Sequence, residues 1–325
     1  MKTSRLLLIA AVLCLASLPA VAQVNDTYVI TGAANGNGAN GTRWLTQFSL
    51  FNPHLDYDLN VSVTLLPTGG KPGIEKLVPV PANSITYSDN LITDLFGLSS
   101  GSGSLLVATF AEDNPGVPND ALSRSFLVTS NTYNDARTGT YGQTVPGVWA
   151  GLLDYDTDGI SAVSQGIRNS NRIGWRTNIG AANLGRCNVT LRVSVYDADG
   201  HTLVNQAPFV LPPLGHFQDS LPVEVEAGSV EFFVDDPCAS SNTNYAVVFP
   251  YTSTIDNFSG DPTYQTPTLL ASANVLFAKA QAAKLDPTSV GKKIDSSYAR
   301  SVRETAERQG QAFLRRDAKG WRITQ

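Results

Sequence analysis

The chain contains few of the residues on which catalytic and metal chemistry usually depends. Its 325 residues include three cysteines, three histidines and one methionine, and only 16% of them are charged. The H-E-x-x-H pattern of zinc proteases and the G-x-x-x-x-G-K-S/T phosphate loop do not occur. These absences argue against the common metalloprotease and nucleotide-binding classes, and we expect a protein that is not an enzyme.

Long hydrophobic runs are also missing, apart from one at the start of the chain. Residues 1–22 combine the basic Lys2 and Arg5 with a short apolar run and end in Ala-Val-Ala. This pattern predicts a secretory signal peptide with cleavage after Ala22, because the run is shorter than a membrane span requires. We expect a protein that is secreted, periplasmic or on the cell surface, with no transmembrane helix after cleavage.

Two cysteines, Cys187 and Cys238, remain after removal of the signal peptide. In an oxidising compartment they are expected to form a disulfide, since two thiols without neighbouring histidines are too few ligands for a structural zinc. Two separate reduced thiols are the alternative.

The sequence repeats itself once over about 120 to 130 residues, and the blocks keep their order. "RWLTQFSLFNP" aligns with "GWRTNIGAANL", "GSLLVATF" with "GSVEFFVD", and "TYGQTVP" with "TYQTP". The alignment pairs Trp44 with Trp175, Thr46 with Thr177 and Asn52 with Asn183. We therefore predict two homologous domains, at residues 23–147 and 148–267, followed by a tail at residues 268–325.

Apolar residues alternate with polar ones inside the repeated blocks, which is typical of half-buried strands. Turn signals such as Asn-Pro, Pro-Thr-Gly-Gly and Asp-Ala-Asp-Gly separate the blocks. The sequence thus predicts an all-β fold of two tandem antiparallel β-sandwiches, with Ig-like or jelly-roll topology. The prolines in "LVPVPA" and "FVLPPL" place those strands at sheet edges, because proline cannot donate to a β-ladder.

The blocks "GTRWLTQFSLFNP", "TYGQTVP", "WRTNIGAAN" and "NFSGDPTYQTP" resemble an uncharacterised family of secreted bacterial tandem β-domain proteins with W-R-T…N-P and T-Y-G-Q-x-V-P motifs. The resemblance covers residues 28–267. It departs from the family pattern at Leu45, where arginine is usual, and at Leu184, where proline is usual. It implies an extracellular β-protein and brings no catalytic residue, ligand or cofactor with it.

The stretch "LLDYDTDGIS" resembles the start of a calcium loop, because Asp154, Asp156 and Asp158 alternate before a glycine. Position twelve of such a loop falls on Gln165 instead of a bidentate glutamate. An acidic, solvated linker is the alternative interpretation, and calcium is the only cofactor that the sequence suggests.

Aromatic residues recur at equivalent positions of the two repeats. Trp44 and Trp175 share the apolar strand face, so we interpret them as core anchors. Tyr141 and Tyr264 are flanked by glycine, glutamine, threonine and proline, and they are the candidates for facing a ligand. A tyrosine that ties a loop to the backbone is the alternative for both.

A glycosidase needs only two suitably spaced carboxylates, so that activity is the remaining enzymatic alternative. The candidate acids are Asp89, Asp94, Asp219, Glu224 and Glu226.

The tail differs from the rest of the chain in charge. Residues 268–325 contain 11 basic and 5 acidic side chains, whereas residues 1–267 contain 12 basic and 23 acidic side chains. A stripe through Tyr298, Val302 and Ala306, with Phe313 and Leu314 further along, favours a helix, but the stripe is thin, so we predict a partly helical or disordered basic tail. A helix docked on the acidic sandwiches and a basic element that contacts an anionic envelope polymer or a membrane are the alternatives. The positive charge is confined to an exported tail, so nucleic acid is not expected as a partner.

These features predict a non-enzymatic structural or interaction module of the cell envelope or extracellular space, whose partner is a protein or a polysaccharide. A carbohydrate-binding module, with or without calcium, is the first alternative, and a glycosidase is the second.

Overall fold

The computed structural model describes residues 25–136, 139–148, 153–154, 160–170, 174–185, 188–235, 247–271, 313–317 and 320–324. The regular secondary structure of the described chain is almost entirely β-strand in antiparallel sheets, which confirms the all-β prediction. The predicted signal peptide and both candidate disulfide cysteines lie outside the described residues. No helix in the described ranges is long and apolar enough to cross a membrane.

The first sandwich contains eight strands, one short α-helix and a three-residue 3-10 turn (Ala39–Gly41) between the first two strands: β1 (Thr27–Asn37), β2 (Arg43–Asn52), β3 (Leu59–Pro67), β4 (Ile74–Val80), β5 (Ser84–Ser88), α1 (Leu91–Asp94), β6 (Gly101–Ala108), β7 (Leu127–Ala136) and β8 (Gly139–Thr144). The strand order is β4-β3-β6-β1-β2-β7-β8, and β5 pairs with β2. β1 joins the two layers, since it pairs with β6 along most of its length and with β2 at its end.

The second sandwich is built from β10 (Ile160–Asn169), β11 (Trp175–Asn183), β12 (Val189–Tyr196), β13 (Thr202–Leu211), β14 (Gly215–Ser220), β15 (Val225–Asp235), β16 (Val247–Asp256), β17 (Pro262–Gln265) and β18 (Thr268–Ala271). One layer has the order β13-β12-β15-β10-β18 and the other β14-β11-β16-β17. The short β9 (Leu153–Asp154) pairs with β16. β18 pairs with β10 although it begins just after residue 267, the predicted end of the second domain.

The two sandwiches have the same strand order. Strands β10 to β17 occupy the places that β1 to β8 have in the first sandwich, so that β10 corresponds to β1, β11 to β2, and so on to β17 and β8. The proline-containing strands β4 and β13 are both edge strands, as predicted. The sequence repeat therefore corresponds to a repeat in topology.

Buried polar residues make equivalent hydrogen bonds in both sandwiches. The hydroxyls of Thr46 and Thr132 lie 3.0 Å apart between β2 and β7, and those of Thr177 and Thr254 lie 2.9 Å apart between β11 and β16. These threonines hold the two central strands of one layer together, because buried hydroxyls require partners.

Each sandwich encloses its own hydrophobic core. The first core is formed by strand residues such as Leu50, Val63 and Leu105 and by α1. The second is formed by residues such as Leu191, Val230 and Phe232.

A third cluster lies between the sandwiches and contains residues of both. Leu66, Leu106 and Phe110 of the first sandwich pack with Leu214 and Phe249 of the second. The sequence interpretation left one face of each sheet in water, and this is wrong for the outer face of β3, β6 and β1. That face is buried because the second sandwich packs against it, so the two sandwiches share an apolar interface.

The tail segments within the described residues are β19 (Phe313–Asp317) and β20 (Gly320–Thr324), which form an antiparallel hairpin. Phe313 and Leu314, which the periodicity assigned to a helical stripe, lie in β19. The rest of the predicted helical stretch lies outside the described residues.

Candidate functional site

A cleft of about 630 Å³ lies between the two sandwiches. One wall is formed by the outer face of β11, β14 and β16, and the other by the glycine-rich β1 with parts of β2, β7 and β8. Five side-chain amides line it: Asn35, Asn37, Gln143, Asn178 and Gln218. Hydroxyl groups, the rings of Trp44, Tyr251 and Tyr264, and aliphatic side chains such as Val145 and Ile255 complete the lining, which is therefore mixed in polarity and almost uncharged.

The alternation of side chains along β11 explains why the second sandwich presents polar residues to the cleft. Thr177 and Ile179 on β11 are buried inside the sandwich, so Arg176, Asn178 and Gly180 lie on the opposite face. The ladder sets Asn178 between Ser220 of β14 and Ser253 of β16, which forms a polar row across three strands. The Ser253 hydroxyl also donates to Gln143 Oε1 of the first sandwich at 3.1 Å, so this row contacts the facing wall.

His216, Tyr251 and Tyr264 form a column of stacked rings beside the cleft, and the two tyrosines of this column line it. The imidazole of His216 stacks on Tyr251 with centroids 6.1 Å apart, and Tyr251 stacks on Tyr264 with centroids 5.5 Å apart. Gly180 makes this column possible, because a Cβ added there would overlap the Tyr251 ring. The Tyr264 hydroxyl is hydrogen-bonded to the Thr31 hydroxyl of the first sandwich.

A chain of hydrogen bonds holds His216 in place. Tyr251 donates its hydroxyl proton to Gln218 Oε1 at 2.9 Å, and its oxygen lies 3.1 Å from His216 Nε2. The other ring nitrogen, Nδ1, is hydrogen-bonded to the Thr68 hydroxyl at 2.7 Å. Ser102 lies 3.0 Å from the same Thr68 hydroxyl, so the chain starts and ends at residues of the cleft.

Burial keeps the groups of this chain neutral. It lowers the pKa of His216 to about 4, since the charged imidazolium would lose its hydration. Burial also raises the pKa of Tyr264 to about 12 and that of Tyr251 well above its usual value. At neutral pH these residues act as fixed hydrogen-bonding and stacking groups.

The wall of the first sandwich is the glycine-rich end of β1. Side chains added at Gly32 or Gly36 would meet no atom within 4 Å, so the backbone is open to the cleft there. Asn35 is 1% exposed and donates to Thr93 and Ser99, while its Oδ1 has no hydrogen-bond partner among the described atoms. A buried acceptor without a partner lowers the stability of the fold at this point.

The structure corrects the interpretation of the two tryptophans as core anchors. Trp44 and Trp175 are both half-buried, and neither belongs to a core cluster. Trp44 lines the cleft and donates its Nε1 proton to Thr42 at 3.0 Å. Trp175 lies elsewhere, with the guanidinium of Arg168 5.6 Å from its ring centroid. Both lie at the start of their strands, β2 and β11, beyond the end of the hydrophobic core.

The two tyrosines predicted to face a ligand have different surroundings. Tyr264 lines the cleft and stacks on Tyr251, whereas Tyr141, its equivalent on β8, is half-buried and not part of the cleft lining. The repeat equivalence of β8 and β17 therefore does not extend to the cleft lining.

The candidate glycosidase acids are not among the described residues that line the cleft. Asp89 accepts hydrogen bonds from Tyr87 and Gln47, and these bonds lower its pKa. Asp94 accepts from Ser88 at 2.8 Å, and Asp219 lies on β14 with Glu224 just beyond it. Glu226 belongs to β15.

The candidate calcium loop lies largely outside the described residues. Asp154 belongs to β9, while Asp156 and Asp158 are not described. A different group, Asp197, Asp199 and His201, has ligand atoms within 4.8 Å of one another in the turn between β12 and β13. Asp197 Oδ1 accepts backbone N–H groups of Asp199 and His201 at 3.0 and 2.8 Å, so turn formation accounts for this arrangement.

Two short patterns match known signatures by spacing alone. Residues 97–101 read G-L-S-S-G, as in a hydrolase nucleophile elbow, and residues 36–41 read G-N-G-A-N-G, as in a dinucleotide-binding loop. Both signatures require a strand that leads into a helix. Here the first pattern connects α1 to β6, and the second leads from β1 through the three-residue 3-10 turn Ala39–Gly41 into β2, so neither precedes an α-helix.

Sequence reasoning did not identify most of the cleft. The signal for Arg176 and Asn178 was their position on the polar face of the W-R-T-N strand. Gln143 and Gln218 gave no signal, because their shared environment depends on contacts between the sandwiches.

No known protein family, curated protein or solved structure matches this chain. The resemblance to secreted tandem β-domain proteins stays a prediction.

Proposed function

We propose that the protein is a secreted, non-enzymatic interaction module that binds a polysaccharide chain in the cleft between its two sandwiches. The observation that carries the proposal is the combination of the half-buried Trp44 and Tyr264 rings with side-chain amides and hydroxyls along one cleft. A sugar ring presents hydroxyl groups at its edge and apolar C–H groups on its faces, so this lining suits both parts of it.

The cleft is also held in shape before a ligand arrives. The shared apolar cluster fixes the two walls against each other, and the hydrogen-bond chain through His216 fixes the rings. A ligand that binds a preformed cleft loses less affinity to ordering of the protein.

A binding role agrees with the chemistry of the lining better than glycoside hydrolysis does. Hydrolysis requires a carboxylate pair on either side of the scissile bond. The described lining contains neutral amides and hydroxyls but no carboxylate. Secretion rests on the sequence of residues 1–22.

Binding to a polysaccharide array tests the proposal, with two matched variants. Trp44→Ala removes an aromatic face from the cleft and should weaken binding about tenfold. Trp175→Ala alters the repeat-equivalent tryptophan outside the cleft and should leave binding unchanged. Equal effects of the two variants would contradict the cleft as the site, and release of reducing ends from a bound polymer would contradict the non-enzymatic role.

The same array in the presence of a chelator tests the calcium alternative. Loss of binding that is restored by calcium, and abolished in an Asp156→Ala, Asp158→Ala variant, would support assistance by the acidic loop. Unchanged binding would show that the cleft acts alone.

A further inference from the structure

Arg176 is the single charged side chain among the described residues that line the cleft. It lies on the outer face of β11, in the same strand as Asn178 and two residues before it. The side chain is half-buried, and burial lowers its pKa. The cleft thus places one partly desolvated cation among neutral polar groups.

The guanidinium has a neutral partner instead of a counter-ion. Its Nη1 donates to Asn257 Oδ1 at 2.6 Å, and Asn40 Nδ2 of the first sandwich donates to the same oxygen at 3.2 Å. Within the part of the chain that the structure describes, no carboxylate pairs with Arg176. A guanidinium has five N–H donors in a planar fork, so most of them remain available to an acceptor in the cleft.

A cation withdrawn from water without a counter-ion is costly, and a ligand anion would remove that cost. The overall charge of the protein does not attract anionic ligands, because the chain carries a net charge of −5. A preference for acidic ligands would have to come from the local charge of the cleft.

We infer that Arg176 binds a carboxylate of the ligand, so that the cleft selects an acidic, uronate-type polysaccharide over its neutral counterpart. The inference rests on the proposed polysaccharide-binding function and names the chemical class of its ligand. Arg176 accepts the carboxylate through paired N–H donors, and the row of Asn178, Ser220 and Ser253 binds neighbouring hydroxyls.

Affinity electrophoresis of the full chain with matched polymers tests this inference. The pairs are pectin with and without its methyl esters, and cellulose with and without carboxymethyl groups. The acidic member of at least one pair should bind about tenfold more tightly, which is the effect of one charge-assisted hydrogen bond. This advantage should shrink as salt is added, because an accessible charge pair is screened.

Two variants assign the preference to Arg176. Arg176→Gln should remove it, so that the acidic and neutral members of each pair bind equally. Asn257→Asp keeps the arginine but places a carboxylate against it, so it should remove the preference by internal pairing without lowering the melting temperature. Arg176→Lys keeps a point charge without the planar fork and should retain part of the preference.

The outcomes separate this inference from the proposed function. Equal binding of both members of every pair would overturn the acidic preference and leave the polysaccharide-binding role intact. Failure of the wild-type chain to bind any of the polymers would overturn both. If Arg176→Gln weakens acidic and neutral binding equally and lowers the melting temperature, Arg176 is a structural link between the sandwiches and the inference is wrong.

Discussion

The Nδ1 atom of His216 lies 2.7 Å from the Thr68 hydroxyl, which makes a hydrogen bond between the second sandwich and the first. The backbones of the same two residues form a parallel β-bridge. Beside this contact, Phe249 packs in the cluster that both sandwiches share. The interface therefore combines a polar link with apolar burial, and the two sandwiches are expected to behave as one unit.

The buried imidazole should make the stability of the protein depend on pH. The folded pKa of His216 is about 4, below the ordinary 6.5, so the unfolded chain takes up a proton first as the pH falls. The free energy of unfolding should decrease by about 2 kcal/mol between pH 7 and pH 5 through this group. The neighbouring Tyr251 and Tyr264 stay uncharged in this range. Urea denaturation at a series of pH values measures the slope.

The control for this slope is His216→Gln, which cannot take up a proton. This variant should be less stable at pH 7, because it disturbs the hydrogen-bond chain, but its stability should vary less between pH 7 and pH 5. An identical slope in both proteins would show that other groups cause the pH dependence.

Truncation of the shared cluster should uncouple the sandwiches. Phe249 is fully buried between them, so Phe249→Ala should cost about 3 to 5 kcal/mol. Because the lost contacts include those between sandwiches, the thermal transition should broaden or divide into two. Phe232→Ala, within the core of the second sandwich, should lower stability without weakening the interface directly. Calorimetry distinguishes these results, and a single sharp transition for Phe249→Ala would contradict the coupling.

The fold was accessible from the sequence because its signals are local. Alternation in β2, with Thr46, Phe48 and Leu50 buried, and prolines at the edge strands β4 and β13 both reflect the geometry of a single strand. The apolar interface between the two sandwiches was not predicted, although the sequence contains a signal for it. β6 contains the continuous apolar run Leu105 to Ala108, which indicates burial on both faces.

The candidate site was only partly predictable, because it depends on contacts between residues that are far apart in the sequence. Tyr264 was identified by residue type and by the repeat, but its equivalent Tyr141 lies outside the cleft. Gln143 and Ser253 are 110 residues apart and meet only through the packing of two sandwiches. A repeat predicts which positions are equivalent, whereas the interface decides which member of each pair faces the cleft.

Gly180 should be essential for the ring column. A Cβ at this position would overlap the ring of Tyr251, so Gly180→Ala should displace that ring and break its hydrogen bond to Gln218. We expect a loss of about 1 to 3 kcal/mol in the free energy of unfolding, together with weaker polysaccharide binding.

The matched control is Gly32→Ala in the facing wall, where an added Cβ meets no atom within 4 Å. Its stability should stay within about 0.5 kcal/mol of the wild type. Chemical denaturation measures both variants, and a tolerated Gly180→Ala would show that the column is not sterically fixed.

Two equivalent asparagines should be needed for the register of the sandwiches. Asn52 Nδ2 donates to the carbonyls of Tyr57 and Val80, and its Oδ1 accepts from the backbone of His54. Asn183 bonds in the same way to Leu211, Pro212 and Gly185.

Replacing either asparagine by alanine leaves buried backbone groups without partners. We expect Asn52→Ala and Asn183→Ala each to lower the free energy of unfolding by about 2 to 3 kcal/mol. Asn131→Ala is the control, because Asn131 is half-buried and its side-chain bond to Gln47 is long, at 3.5 Å. Since the two asparagines occupy equivalent strands, β2 and β11, their effects should be similar in size. A large effect at one and none at the other would show that the two sandwiches do not depend on the same internal bonds.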